Sequence, residues 1–355
     1  MNTGISHSLF AIQLGLIVLM HLPPKAFAQS DSPMDSAATV RYALALIHSP
    51  EPEFQNPPPM TMDPEEFADL GFEQIYSFNE TYFDGRDGEK LYARHFPADS
   101  HTTILLSHGV LGNSFLFNRM SGLLREATGA EIYALDLRGH GQSGGRPGDV
   151  DYIGQYEDEL ADVVTQVKFQ KPNQKIIIAG HSMGGGISLR YAMRNDFPEV
   201  DGYLLVAPTI GHNNPTMRTA PLNADETAEP FLKLHIQRMI GLSMLNSVGN
   251  HEHDSLNVLF FNLPENSPVT RYSYRSNVSN APADYREGLK AINKPLLIIV
   301  GTEDEVMDAA KFQPAVESYS RGELLIVEGA THNGIRHSEE AMVKIKEWAE
   351  SNQLN

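Results

Sequence analysis

The stretch 175–186 runs a short apolar segment, Lys175-Ile176-Ile177-Ile178-Ala179, into Gly180-His181-Ser182-Met183-Gly184 and then into an amphipathic segment. It reads as a strand, a sharp turn and a helix. A serine at such a turn occupies a strained backbone position that only small neighbours tolerate. Gly180 and Gly184 therefore let strand and helix approach while the Ser182 hydroxyl projects outward. The pentapeptide alone is common, so the strand before it and the helix after it carry the weight.

The rest of the chain repeats that rhythm. Apolar runs at 103–106, 131–135, 175–179, 202–206, 295–300 and 323–327 are short and lack strict alternation, as strands buried on both faces should. Segments 115–127, 156–169, 183–194, 309–318 and 339–351 have helical spacing. Strands alternating with helices predict a mainly parallel sheet with helices on both faces. Ahead of them, 74–83 and 89–96 alternate around Asp84-Gly85-Arg86-Asp87-Gly88 and predict an antiparallel hairpin. The lead segment 29–73, with Pro50, Pro52 and Pro57-Pro58-Pro59, reads as irregular. Between Val206 and Pro295 the strand rhythm is lost. A helical cap inserted at 207–291, over the carboxyl ends of the strands, accounts for the break and for its apolar content.

A formal charge of −18 and a pI near 5.1 argue against nucleic acid and anionic membranes as partners. Residues 1–28 hold an apolar run (9–20), a break at Pro23-Pro24 and Ala26-Phe27-Ala28, the pattern of a signal peptide cut before Gln29. The run is too short, and too interrupted by Gln13 and Gly15, to span a membrane comfortably. The expectation is an exported protein, periplasmic or secreted. With no cysteine there is no disulfide, thiolate chemistry or cysteine-bound metal.

An activated serine needs a base and a group that orients the base. After the strand ending at Val300 comes Gly301-Thr302-Glu303-Asp304-Glu305, and after the strand ending at Val327 comes Glu328-Gly329-Ala330-Thr331-His332. Both stand past the same sheet edge as Ser182, in the order serine, acid, histidine. Glu303 and Glu305 compete with Asp304 for the acid's place and are otherwise expected to be solvated. Asp136 and His140, in Asp136-Leu137-Arg138-Gly139-His140-Gly141, read as parts of a structural corner. Backbone amides for an oxyanion fit Met183 and, after Ser107-His108-Gly109, Val110.

On His108-Gly109, the segment 136–143, the segment 180–185 and the Asp304 and His332 loops, the chain resembles the α/β-hydrolase superfamily. The branch is that of monoacylglycerol lipases, lysophospholipases and serine-aminopeptidase-like esterases, and the resemblance covers 74–351. It implies Ser182 as nucleophile, His332 as general base then acid, Asp304 as its partner, and the Val110 and Met183 amides as the oxyanion site. It implies ester hydrolysis without a cofactor but does not choose the ester. An apolar cap favours an apolar acyl chain. Leu111, Phe231, Leu234, Met239 and Phe260 are the expected contacts.

Two other readings stay open. An aminopeptidase would hold a substrate ammonium with cap acids, for which Asp225, Glu226 and Glu229 are available, and a non-catalytic protein would hold a lipid without turnover. His251-Glu252-His253-Asp254 has metal-capable side chains but no third partner, so no metal is expected. Gly184-Gly185-Gly186 lacks the residues that would make it a nucleotide loop.

Overall fold

The computed structural model of the chain describes residues 36–55, 64–218 and 229–355. The leader 1–28 lies outside them. No helix among the described residues is long and apolar enough to cross a membrane.

Two helices, α1 (Ser36–Ile47) and α2 (Pro64–Asp69), precede the hairpin of β1 (Asn79–Asp84) and β2 (Lys90–Phe96). Then follow β3 (Thr102–Ser107), α3 (Asn118–Thr128), β4 (Glu131–Leu135), α4 (Gln155–Gln170), β5 (Lys175–His181), α5 (Met183–Ala192) and β6 (Gly202–Val206). The insert carries β7 (Leu232–Leu234), α6 (Ile236–Ser247), β8 (Asn257–Phe261), β9 (Arg271–Ser273), α7 (Tyr274–Ser279) and α8 (Tyr285–Ala291). The chain closes with β10 (Leu296–Gly301), α9 (Phe312–Tyr319), β11 (Glu323–Val327) and α10 (Glu339–Ser351).

Eight strands form one sheet in the order β1-β2-β4-β3-β5-β6-β10-β11. The β1–β2 and β2–β4 pairs are antiparallel and the rest parallel. Successive side chains of a strand point to opposite faces, and both faces are dry. Leu105, Ile176, Ile178, Ile298 and Val300 enter the layer shared with α4, α5 and the insert. Ile104, Leu106, Ile177, Ala179, Leu297 and Ile299 enter the layer shared with α3 and α10, where Met120, Leu124, Ile345 and Trp348 are buried. This accounts for the unbroken apolar runs. The order reverses around β3, which has β4 on one side and β5 on the other, and that reversal opens a crevice beyond the carboxyl ends of β3 and β5.

Two expectations are corrected here. The insert is mixed rather than purely helical. Beside its helices, β7, β8 and β9 form an antiparallel three-stranded sheet, with Leu232 opposite Phe261 and Leu234 opposite Leu259. These strands are short, and the apolar residues of the central one, Val258 to Phe261, run together because both its sides are covered. The lead segment is not irregular throughout either. The α1 residues Val40, Ala43, Leu44 and Ile47 recur at helical spacing, and Ala43 and Ile47 are fully buried. Their partner is α6: a Cβ on Gly241 would lie 2.7 Å from the Ala43 carbonyl oxygen. Arg238 of α6 donates to the Ile47 carbonyl at 3.0 Å and to Glu51 at 2.8 Å. The prolines that follow concealed a helix that packs on the insert.

Ile47→Ala should lower unfolding stability by about 2–4 kcal/mol, as a buried large-to-small change does. A denaturant titration with an unchanged midpoint would show that α1 is not part of the folded unit.

Candidate active site

Ser182 lies between β5 and α5 with φ 53° and ψ −115°. Such a backbone costs a residue with a Cβ about 1–3 kcal/mol and persists only where its surroundings fix it. Here the Ser182 N–H donates to the Val206 carbonyl at 3.0 Å, and its own carbonyl accepts from Gly185 at 3.1 Å and Thr209 at 3.0 Å. The approach of strand and helix demands glycine, since a Cβ on Gly180 would lie 2.2 Å from the Gly184 carbonyl carbon.

The loops after β10 and β11 bring the acid and the base together. Asp304 is fully buried and its Oδ2 lies 2.9 Å from His332 Nδ1. Its Oδ1 accepts the N–H groups of Val306 at 2.8 Å and Met307 at 2.7 Å, which fixes the carboxylate plane. Glu303 is exposed. Glu305 is not solvated as expected: it is half-buried, and its carboxylate accepts the His332 backbone N–H at 3.1 Å. Burial raises the Glu305 pKa, against the opposing field of His332. Burial also works to lower the His332 pKa, but the charge and hydrogen bond of Asp304, with Glu305 behind it, outweigh burial and raise it above the usual histidine value.

The loop after β3 meets Ser182 from the other side, where a Cβ on Gly109 would lie 3.0 Å from Ser182 Cβ. His108 Nε2 accepts the Leu137 N–H at 3.1 Å, so its Nδ1 carries the proton and donates to the Gly109 carbonyl at 2.8 Å. Burial holds His108 neutral, with its pKa down at about 4. The Gly112 N–H donates to the same carbonyl at 3.0 Å. In a planar trans peptide the Val110 N–H then points the opposite way. Among the described residues neither the Val110 nor the Met183 N–H has a hydrogen-bond partner. Met183 opens α5, where helix geometry leaves amides free and the helix dipole favours negative charge. A serine hydroxyl, a histidine oriented by a carboxylate and two free amides can together carry out acyl transfer.

The model of the family described as serine aminopeptidase, S33, matches residues 98–339. The chain belongs to this family of α/β hydrolases. Over 278 residues it is 24% identical to the monoglyceride lipase homolog of monkeypox virus, covering 74% of this chain and 95% of that one. Over 258 residues it is 23% identical to the monoglyceride lipase of Rattus norvegicus, covering 69% and 80%. The solved structure of a Paleococcus ferrophilus monoacylglycerol lipase superposes with a TM-score of 0.52 at 20% identity, covering 74% of this chain and 99% of that one.

In this S33-family chain Ser182, His332, Val110 and Met183 border one cavity of about 820 Å³, counted out to its open mouth. The residues expected to bind substrate do not line it. Leu232, Leu259 and Phe261 do, with Met217 and Val306. On β8, Phe260 takes the opposite side from Leu259 and Phe261, with its ring beside His235 at 6.4 Å and the Arg271 guanidinium at 5.7 Å. Phe231 packs behind Phe261 at 5.7 Å, while Leu234, Met239 and Leu111 also stand away from the cavity wall. For Phe231 and Phe260 one residue of parity separates the expected contact from the observed Leu232, Leu259 and Phe261, and parity is unreadable until the strands are known.

The sequence also assigned no role in the site to His181, Arg336, Asn277 and Asn280. His181 Nε2 donates to the His332 carbonyl at 2.8 Å, tying the serine turn to the histidine loop. Burial first, then the nearby His332, hold its pKa well below normal. Arg336, buried, donates to the Asn333 carbonyl at 3.0 Å and the Leu116 carbonyl at 3.1 Å, with its guanidinium 4.7 Å from the Phe117 ring centroid. Asn277 and Asn280 line the cavity, each only 6% exposed, and their carboxamides have no partner among the described residues. Asp136 accepts from Ser114 at 2.5 Å and Gln142 at 2.7 Å, as befits a structural corner. His251 pairs with Asp254 at 2.9 Å. Asp225 and Glu226 lie outside the described residues, while Glu229 is engaged by Lys233 at 2.6 Å and by the Gln55 N–H.

A general base must be neutral, so kcat/KM should rise with pH and level off, with an apparent pKa above 6.5. Asp304→Asn removes the charge that raises this pKa. The pH limb should move to lower pH and the plateau should fall by about four orders of magnitude. A pH-rate profile of both proteins checks this, and near-normal turnover by the variant would assign the orienting role to Glu305.

Proposed function

We propose that the chain hydrolyses carboxylic esters with an apolar acyl chain through an acyl-enzyme on Ser182. The observation that carries this reading is the buried Asp304–His332 pair at 2.9 Å, whose His332 borders with Ser182 a cavity walled by Leu232, Leu259 and Phe261. Its likeness to monoglyceride lipases supports the same class of substrate. His332 takes the Ser182 proton as the hydroxyl attacks the ester carbonyl, and the amides of Val110 and Met183 receive the oxyanion. The protonated His332 then gives its proton to the departing alcohol. Water, activated by the same histidine, releases the acid and restores Ser182. Asp304 holds the Nδ1–H tautomer throughout. The apolar wall suits the acyl chain, and the unpartnered Asn277 and Asn280 carboxamides suit a polar alcohol portion. We also infer that the chain is exported, with its mature form starting at Gln29, on the strength of the leader pattern.

A profile across short and long p-nitrophenyl esters, monoacylglycerol, lysophospholipid and an aminoacyl amide tests the assignment. Long-chain esters should be turned over fastest, and Ser182→Ala should abolish turnover and fluorophosphonate labelling. Preference for the aminoacyl amide would instead favour an aminopeptidase, and a wild type inert to every ester and to the phosphonate would favour a lipid-binding protein. Sequencing the amino terminus of the protein recovered from its native host should give Gln29. Met1 would overturn export with cleavage.

A further inference from the structure

We propose that Tyr272, contributed by the insert, is a positioning residue that holds the turn carrying the Val110 amide in its oxyanion-binding shape. The proposal rests on the hydrolase reading for its catalytic consequence and on geometry for the clamp itself.

The turn spans Gly109, Val110, Leu111 and Gly112, closed by the Gly112 N–H on the Gly109 carbonyl at 3.0 Å. Its third residue, Leu111, has φ 60°. A four-residue turn with positive φ at that place normally carries glycine, and a leucine there is strained. Rotation of the Val110–Leu111 peptide would return Leu111 to negative φ and convert the turn to the form open to most residues. Something must oppose that rotation.

Tyr272 supplies the opposing bond. Its hydroxyl oxygen accepts the Leu111 N–H, the amide of that same peptide, at 2.8 Å. The direction of the remaining bonds is fixed by chemistry. A carbonyl only accepts, so His140 Nδ1, 2.9 Å from the Arg138 carbonyl, carries the ring proton. With the imidazole neutral, Nε2 is an acceptor, and the Tyr272 O–H donates to it at 2.6 Å. The tyrosine thus gives its proton to His140 and its lone pair to Leu111, and neither role can reverse. Burial, with a contribution from His108, keeps His140 neutral by lowering its pKa to about 3. Burial also keeps the Tyr272 hydroxyl protonated. The tyrosine is fully buried, its ring 5.7 Å from the cavity-lining Phe261 and 5.5 Å from His140. It stands on β9, opposite Leu259, another wall residue. β8 therefore contributes Leu259 and Phe261 to the apolar wall while β9 beside it sets the oxyanion turn.

Tyr272→Phe keeps the ring and removes only the hydroxyl. It should lower kcat about tenfold with KM nearly unchanged, because the turn matters only when charge develops on the carbonyl oxygen. Affinity for a trifluoromethyl ketone, which forms an oxyanion on Ser182, should fall by a similar factor. Adding Leu111→Gly, which removes the strain at positive φ, should recover most of the loss. A defect that only loosens the fold would not be rescued in this way. An unchanged kcat, a change confined to KM, or no rescue by glycine would overturn the proposal. Amide exchange across 108–117 is read alongside and should quicken at least tenfold in Tyr272→Phe. Unchanged exchange overturns the clamp whatever the kinetics show. Failure of the wild type to react with a fluorophosphonate overturns the hydrolase reading instead.

Discussion

The geometry at the carboxyl edge of the sheet depends on how closely α5 passes the ends of β5 and β3. No side chain fits at Gly180, and Ser182 is held at a positive φ by a bond from each direction: its N–H to β6 and its carbonyl from the first turn of α5 and from Thr209. Because β3, β5, β6, β10 and β11 are parallel, every loop that follows one of them emerges beside this point. The order reversal at β3 leaves a gap there rather than a crossing connection. Ser182, His332, Asp304 and the amides of Val110 and Met183, from four distant stretches of chain, are thereby brought to one edge of the sheet.

Several histidines lie in or near the site, and their environments separate their roles. His108, His140 and His181 are buried with one ring nitrogen against a backbone carbonyl, and each is held neutral well below pH 6.5. His108 and His140 act as fixed donor–acceptor struts, and His181 donates through one nitrogen only. His332 alone of the four has a carboxylate on its ring, and its affinity for a proton is raised where the others' is lowered. Burial by itself would have made all four alike. The carboxylate of Asp304 sets one of them apart.

Much of the core was legible in the sequence because its signals are local. The strands 131–135, 202–206 and 323–327 and the helix 339–351 coincide with β4, β6, β11 and α10, where apolar runs and periodic segments are bounded by polar turns. The order Ser182, Asp304, His332 was legible because each residue follows a strand end. What remained hidden depends on contacts distant in sequence. Phe260 and Phe261 are indistinguishable until the pairing of β8 with β7 and β9 sets which one faces the cavity. Glu305 looked like its exposed neighbour Glu303 until the His332 amide was seen against it. The helix α1 went unread because prolines dominate its neighbourhood and its partner, α6, lies nearly 200 residues further on.

The contact between α1 and α6 also bears on what counts as the folded unit. The span matched by the family model, 98–339, contains α6 but not α1, nor the hairpin strands, nor most of α10. A chain trimmed to that span would bare the groove at Gly241 where Ala43 and Ile47 now sit, and would leave Arg238 without the Ile47 carbonyl and Glu51. The insert would then carry an uncovered apolar stripe beside a guanidinium left with the Asn257 carbonyl alone of its three acceptor residues. The segment that precedes the hydrolase core is therefore a missing wall of the insert, borrowed from the other end of the sequence.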